Sequence, residues 1–268
     1  MTATEGSYAF ENARAIQRER LRTLEALLDE GTIRYLEARG VERGWRCLEV
    51  GAGGGSVAGW LCERVGPDGS VTATDLDTTV LAELSHPNLE IKVHDVLADD
   101  LPERAFDLVH MRLLLAWLGE PGIALGRLID ALAPGGWLVA EEMDFVSAAP
   151  DPRLGADERD LIERAVQAHN LVLAEQNRFD PFYGRRLVGD LEEAGLAGIG
   201  CEGRAYMWQG GGPGGTIWRL TLVQLRDPMI ASGLVTSADL DALFDLCDDP
   251  RLRILSQVVM AAWGRRAA

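Results

Sequence analysis

The segment Glu49-Val50-Gly51-Ala52-Gly53-Gly54-Gly55 lies between an apolar stretch that predicts a strand, 47–50, and a predicted helix, 56–64. Glycines allow the chain to turn sharply there and let a ligand approach the backbone closely. The N-terminus of the following helix offers free N–H groups and a partial positive charge to an anionic group. The segment therefore predicts a ligand site at the carboxyl end of this strand.

Predicted strands and helices alternate around this turn, from about Thr32 to Phe145. Such alternation is typical of a parallel sheet that is covered by helices on both faces. We therefore predict a doubly wound α/β fold, which two C-terminal strands complete. The remaining predicted strands lie at 71–74, 89–93, 106–110, 137–141, 199–208 and 254–262, and the remaining core helices at 78–84 and 123–132.

Further helices are predicted on both sides of this core. We expect residues 1–40 to form an N-terminal helical lid, whose two helices are separated by a break at Gly31. Residues 41–268 are expected to form the ligand-binding α/β core, with helical cap insertions around 150–195 and 210–250. Apolar periodicity predicts the cap helices at 157–175, 184–194, 216–225 and 237–246.

Acidic residues follow the second and third predicted strands. After the second strand, Asp75 is placed where a ribose would lie, and its carboxylate can accept from both ribose hydroxyls. Enzymes that bind nicotinamide cofactors share this feature, and a helix N-cap is the alternative role for Asp75. The third strand is followed by Asp95.

The spacing of the glycines narrows the class of ligand. They follow the pattern ExGxGxG from Glu49, whereas the dinucleotide fingerprint GxGxxG would place its third glycine at position 56, which is Ser56. Together with Asp75, Asp95 and the segments 106–112 and 132–137, this pattern resembles class I methyltransferases that depend on S-adenosylmethionine (SAM). The resemblance covers roughly residues 44–142. It is closest to bacterial enzymes that methylate small molecules, often in natural-product pathways.

The resemblance implies a seven-stranded, mostly parallel sheet of the class I methyltransferase type, with a reversed final hairpin and extra capping helices. It implies SAM as the cofactor. In this family an acidic residue after the third strand receives the adenine amino group, and Asp95 matches it. Arg112 has two alternative roles, between which the sequence does not decide: it pairs with the SAM carboxylate, or it anchors a loop. The residues expected to bind the cofactor are Tyr8, Glu49, Gly51, Ala52, Gly53, Asp75, Leu76, Asp95, Val96, His110 and Arg112.

Two histidines are candidate catalytic bases for a hydroxyl acceptor, because a free imidazole titrates at about pH 6.5. His110 ends the fourth predicted strand, at the edge where ligands bind. Its alternative role is to shape the methionine pocket. His169 lies on the apolar face of the predicted helix 157–175, where a core histidine is the alternative. No metal site is expected, because no His/Cys cluster accompanies the acidic residues after the fifth strand.

Composition limits the choice of partner. The net charge is -16, with 42 acidic against 26 basic residues, and so acidic a surface repels nucleic acids and anionic lipid. No apolar run approaches the roughly 20 residues that a membrane span needs. Four dispersed cysteines and the lack of a visible secretory signal predict a cytoplasmic protein. We expect a small-molecule substrate and no nucleic-acid or membrane partner. The sequence leaves open whether the protein forms a homodimer.

Two other functions compete with methyl transfer. A nicotinamide-dependent oxidoreductase would need GxGxxG, and a Tyr-x-x-x-Lys pair is impossible because Lys92 is the only lysine. A SAM-binding protein, or an enzyme that does not transfer methyl groups, would need the same cofactor residues. The sequence leaves this second alternative open.

Overall fold

Seven strands form one sheet, and three short strands form a second sheet. The structure is a computed structural model that describes the backbone of residues 3–177 and 179–268, with the side chains of 15–175 and 179–268. The strands are β1 (Arg46–Val50), β2 (Ser70–Asp75), β3 (Leu89–Val93), β4 (Phe106–Arg112), β5 (Leu132–Asp144), β6 (Ala149–Pro150), β7 (Ala197–Arg204), β8 (Met207–Gln209), β9 (Arg253–Leu255) and β10 (Val258–Arg265). The α-helices are α1 (Ala3–Ala38), α2 (Ser56–Val65), α3 (Pro121–Ala131), α4 (Ala156–Asn177), α5 (Tyr183–Glu193), α6 (Pro213–Ala231) and α7 (Ser237–Asp248).

The large sheet has the order β3-β2-β1-β4-β5-β10-β7. Its first five strands pair in parallel, whereas β10 runs antiparallel to both of its neighbours. One apolar cluster packs the sheet against α3 and α5, and another packs it against α1 and α2. Burial from both sides explains why β1 and β4 are apolar along most of their length. The predicted doubly wound, seven-stranded, mostly parallel sheet is confirmed.

The second sheet, in the order β6-β9-β8, was not predicted. The predicted strands 199–208 and 254–262 are each divided, since β7 and β10 belong to the large sheet and β8 and β9 to the small one. The interruption between β7 and β8 lies opposite the interruption between β9 and β10. The Ser256 N–H donates to the Tyr206 carbonyl at 2.8 Å, and the Tyr206 N–H donates to the Ser256 hydroxyl at 2.9 Å. These bonds satisfy the backbone where both strands leave the large sheet.

The predicted helix at 78–84 is reduced to one short 3₁₀ helix, Leu81–Glu83. Three successive β-branched residues, Thr78, Thr79 and Val80, precede it. Such residues lose side-chain freedom against the preceding turn of a helix and so disfavour it. The cap helices, by contrast, are observed as α4, α5, α6 and α7, within a few residues of their predicted ends at most termini.

The N-terminal helix α1 is continuous, so the predicted break at Gly31 is wrong. A Cβ atom at Gly31 would lie 0.9 Å from Nη1 of Arg204. The Arg204 guanidinium lies over the Tyr35 ring at 4.6 Å and donates to Oε2 of Glu141 at 3.3 Å. Gly31 therefore permits close packing of α1 against β7 and does not end a helix. Among the helices of the described ranges, none is both long and apolar enough to cross a membrane.

Near the carboxyl end of β5, the carboxyl group of Glu142 is fully buried. Its Oε1 accepts from the N–H groups of Leu114 and Leu115 at 2.8 and 2.6 Å, which fixes the loop after β4. Its Oε2 has no hydrogen-bond partner in the described part of the chain. Burial raises the pKa of Glu142 to about 8. The group is therefore mostly protonated at neutral pH.

Replacing Gly31 by Ala is expected to lower the Tm, although Ala improves helix propensity by about 1 kcal/mol. The added methyl group would displace the Arg204 guanidinium and deprive the buried Glu141 carboxylate of a partner. Gly189 of α5 is the matched control, because nothing lies within 4 Å of a Cβ placed there. In thermal unfolding, Gly189→Ala should equal or exceed wild type. A Gly31→Ala protein as stable as wild type would contradict the packing role.

Replacing Glu142 by Gln is expected to stabilise the protein increasingly as the pH rises. The ordinary pKa of this carboxyl is 4.5, so the native state holds an extra proton between that pH and about 8. The stability that this proton contributes is fully present below pH 4.5, and it is lost as the pH rises through about 8. Glutamine does not titrate and keeps the acceptor oxygen. The Tm difference from wild type should therefore grow from about pH 5 to about pH 9.

The exposed Glu103→Gln is the control, and its Tm difference should stay constant over this range. A pH-independent difference for Glu142→Gln would mean that the native carboxyl is already ionised.

Candidate functional site

A cavity of about 830 Å³ lies at the carboxyl ends of β1 to β4. Open α/β sheets bind ligands at this edge. The glycine turn and the ends of the strands form one wall. Residues of helix α1, spaced by a helical turn, form a second wall of the cavity. Residues of α4, α6 and β8 line the end of the cavity that lies away from the glycine turn. The volume falls within the roughly 300–1,000 Å³ of small-molecule sites.

The glycine turn requires glycine at three positions. The φ angles of Gly51, Gly53 and Gly55 are +68°, +55° and +88°, in the left-handed region that costs other residues roughly 1–2 kcal/mol. Glu25 of α1 lies against the turn, since a Cβ at Gly54 would lie 2.2 Å from its Oε1. The backbone N–H of Ser56 stabilises the Glu25 carboxylate, although burial and Asp29 raise its pKa overall. The N-terminus of α2 therefore already faces an anion from the chain itself.

Asp75 and Asp95 both line the cavity. Asp75 Oδ2 accepts from the Gly53 N–H at 2.9 Å, and Oδ1 accepts from the Asp77 N–H at 3.1 Å. Asp95 Oδ1 accepts from the Leu97 N–H at 2.9 Å. A carboxylate has about four lone-pair directions, so both groups keep acceptor capacity. Asp75 thus holds the glycine turn in place while remaining at the cavity wall, and it caps no α-helix.

The other predicted cofactor residues near these carboxylates are also brought together. Gly51, Ala52, Gly53, Leu76 and Val96 line the cavity. Leu76 is 70% exposed although it is apolar, so it offers an uncovered apolar face to a ligand. Tyr8 lies outside the residues whose side chains the structure describes.

Glu49 and His110 do not line the cavity. The His110 ring is fully buried between two carboxylates, with Nδ1 at 2.6 Å from Glu49 Oε2 and Nε2 at 3.3 Å from Glu141 Oε1. Burial alone would lower its pKa, but Glu49 and Glu141 outweigh that effect and raise it to about 9. His110 is thus an imidazolium at neutral pH, without a free lone pair. His110, expected as a base and as a cofactor contact, therefore lies outside the cavity with both ring nitrogens engaged, and Glu49, expected as a cofactor contact, lies outside it as well.

Arg112 lines the cavity, but its guanidinium is paired. It donates to Asp29 Oδ1 at 2.9 Å and to the Thr32 hydroxyl at 2.8 Å, both on α1. Arg112 therefore anchors an element of the fold, which is a helix and not a loop, and its pairing with the SAM carboxylate stays a prediction.

His169 lines the far end of the cavity, where its ring lies 6.0 Å from those of Phe145 and Trp218. Asn170 Nδ2 donates to the Phe145 carbonyl at 3.2 Å, which turns Asn170 Oδ1 towards His169 Nδ1 at 2.9 Å. This network assigns the proton to Nδ1 and leaves Nε2 as an acceptor. Burial lowers the pKa of His169, so the ring is neutral at neutral pH.

Sequence reasoning missed several cavity residues, among them Arg20 and Gln257. Arg20 shares a face of α1 with Gln17, Leu21 and Leu24, and that helical spacing was a readable signal. Gln257 lies between β9 and β10, and no signal marks it. His94 also lines the cavity, where it is buried beside Asp95, and neither ring nitrogen has a partner among the described residues. No group of three or more possible metal ligands was found within the described ranges.

A family model described as a methyltransferase domain matches residues 8–199. Methyltransferase str2 of Strobilurus tenacellus is 36% identical over 149 residues, which are 55% of this chain and 51% of that protein. Trans-aconitate 2-methyltransferase of Methylobacterium radiotolerans is 34% identical over 109 residues, or 40% and 41% of the two chains. The chain thus spans about half the length of the curated relatives it matches, or less.

Solved structures share the fold at low sequence identity. A Bacillus halodurans protein described as a methyltransferase superposes with a TM-score of 0.57 at 16% identity, over 88% of this chain and 98% of that one. Phosphoethanolamine N-methyltransferase 2 of Haemonchus contortus, solved with S-adenosylhomocysteine (SAH), gives 0.55 at 14% identity, over 89% and 53%. The fold is therefore that of class I methyltransferases.

Proposed function

Because this chain belongs to the methyltransferase-domain family, we propose that it is an enzyme that transfers a methyl group from SAM to a small molecule. The observation that carries the proposal is the continuous cavity, which joins the glycine turn and two carboxylates to an aromatic chamber. We define this chamber by Phe145, His169, Trp208, Trp218 and Gln257. One end of the cavity suits a nucleoside and the other suits an acceptor.

The cofactor end fits the adenosine part of SAM. Asp75 would accept from the ribose hydroxyls, and Asp95 would accept from the adenine amino group. Leu76 and Val96 would pack against the adenine ring, for which the uncovered face of Leu76 is suited. SAM supplies an electrophilic methyl group: the acceptor forms a bond to its carbon while the C–S electrons stay on sulfur, giving SAH.

The acceptor end favours a hydroxyl, as expected for a natural-product substrate. His169 Nε2 is an acceptor on a neutral ring, so it is able to take the hydroxyl proton during transfer. The Asn170 amide would stabilise the resulting imidazolium through Nδ1–H. Positioning supplies much of the remaining rate, because methyl transfer is an in-line displacement.

Helix α1 provides the roof of the cavity, in agreement with a lid over residues 1–40. Its later half is fixed to the sheet edge by Arg112 and by the packing at Gly31. Any closing movement would therefore involve the residues before Asp29. A cytoplasmic location is supported by four free cysteines and the composition, and a small-molecule substrate by the net charge of -16.

SAH is expected to bind this protein, and NAD is not. Asp75→Ala should weaken SAH binding by roughly 1.5–3 kcal/mol for each charged hydrogen bond lost. The loss of the bond to the Gly53 N–H should add to that cost. Asp68→Ala is the control, because Asp68 is exposed and lies outside the cavity. Calorimetric titration measures each affinity. Tight NAD binding without SAH binding would overturn the cofactor assignment.

His169→Gln is expected to lower turnover by about 10²–10⁴-fold, the contribution of a general base, while SAH affinity changes little. His86→Gln is the control, because His86 lies in a loop outside the cavity. Turnover against pH should be measured with a hydroxyl acceptor found by screening. A rate near wild type in His169→Gln would show that positioning alone carries the transfer.

A further inference from the structure

Among the residues that the structure describes, three arginines line the cavity, and two of them have carboxylate partners. Arg18 pairs with Glu83, and Arg112 pairs with Asp29. Arg20 has no carboxylate or other hydrogen-bond partner among the described residues, and its Nε atom is shielded from solvent. Burial lowers the pKa of Arg20, which reflects the cost of removing its charge from water. The cavity thus holds a cation without a counter-charge from the described part of the chain.

The position of Arg20 connects it to the acceptor end of the cavity. Its charge contributes to lowering the pKa of His169, so the two side chains lie near each other. A chain with 42 acidic residues has carboxylates in excess, yet none of those described reaches this guanidinium. Buried charges are normally paired, and an unpaired one at a ligand site indicates a ligand of opposite charge.

Other unpaired polar atoms surround the same space. The indole N–H groups of Trp208 and Trp218 have no acceptor among the described residues, and both side chains are only 8% exposed. Gln257 is 6% exposed, and its Oε1 has no donor in the described ranges. All three side chains line the cavity. Two donors and one acceptor of the described residues are therefore unpaired beside the chamber, although each atom is shielded from solvent, and the walls of the chamber are aromatic.

We propose that the acceptor is a small aromatic hydroxy acid that binds as a carboxylate against Arg20, with its hydroxyl directed to His169. This assignment rests on the proposed function. A planar guanidinium matches a carboxylate through two parallel hydrogen bonds. Within the described ranges, one unpaired arginine at the cavity matches one negative charge, whereas a phosphate would carry more charge than this arginine neutralises. The aromatic walls of the chamber suit a planar ring.

The test is a titration of the SAH-loaded protein with 4-hydroxybenzoate and 4-hydroxycinnamate, each paired with its neutral carboxamide. At least one carboxylate should bind about tenfold or more tightly than its carboxamide, the effect of charged hydrogen bonds. Arg20→Gln should abolish that preference while it still binds SAH. Arg22→Gln is the matched control: Arg22 lies two residues along α1, exposed and outside the cavity, and should retain the preference.

The outcomes distinguish a failure of the role of Arg20 from a failure of the proposed function. Failure of the wild-type protein to bind SAH would overturn the proposed function. SAH binding without carboxylate binding, or with equal affinity for acid and amide, would overturn only the role of Arg20. A carboxylate preference that survives in Arg20→Gln would assign the anion to another part of the cavity and would equally contradict the proposal.

Discussion

The buried His110 imidazolium is the interaction on which the ligand-binding edge depends. It lies between Glu49 of β1 and Glu141 of β5, and it therefore joins the three central strands through their side chains. Buried charges cost free energy unless their partners are complete, and removal of one partner typically costs about 3–5 kcal/mol. The cluster thus holds together only in the native register, where Glu49 is paired with His110 across the strands.

The cluster extends to the roof of the cavity. Glu141 also accepts from Arg204, and Arg204 packs on Tyr35 of α1 at the place that Gly31 leaves open. A second connection runs from the end of β4 to α1 through Arg112. The sheet therefore fixes the helix that carries the cavity-lining residues of the roof. The position of the roof depends in this way on charges that lie outside the cavity.

Local patterns were sufficient to predict the large sheet and to place the glycine turn, Asp75 and Asp95 at one edge of it. The glycine turn needs left-handed backbone, and Asp75 and Asp95 follow directly from the ends of their strands. His110 was expected at the edge of the sheet but lies inside it, because β4 runs two residues further than its apolar pattern predicted. The role of Gly31 depends on a contact between distant segments, which no local pattern encodes.

The most direct test of the cavity assignment is a crystal structure of the protein with SAH. The ribose hydroxyls should lie within hydrogen-bond distance of Asp75 and the adenine amino group near Asp95. The sulfur atom should face the chamber that contains His169 and Trp218. If SAH binds at another site, or with its sulfur directed away from this chamber, the cavity does not unite cofactor and acceptor, and its assignment as a methyl-transfer site is contradicted.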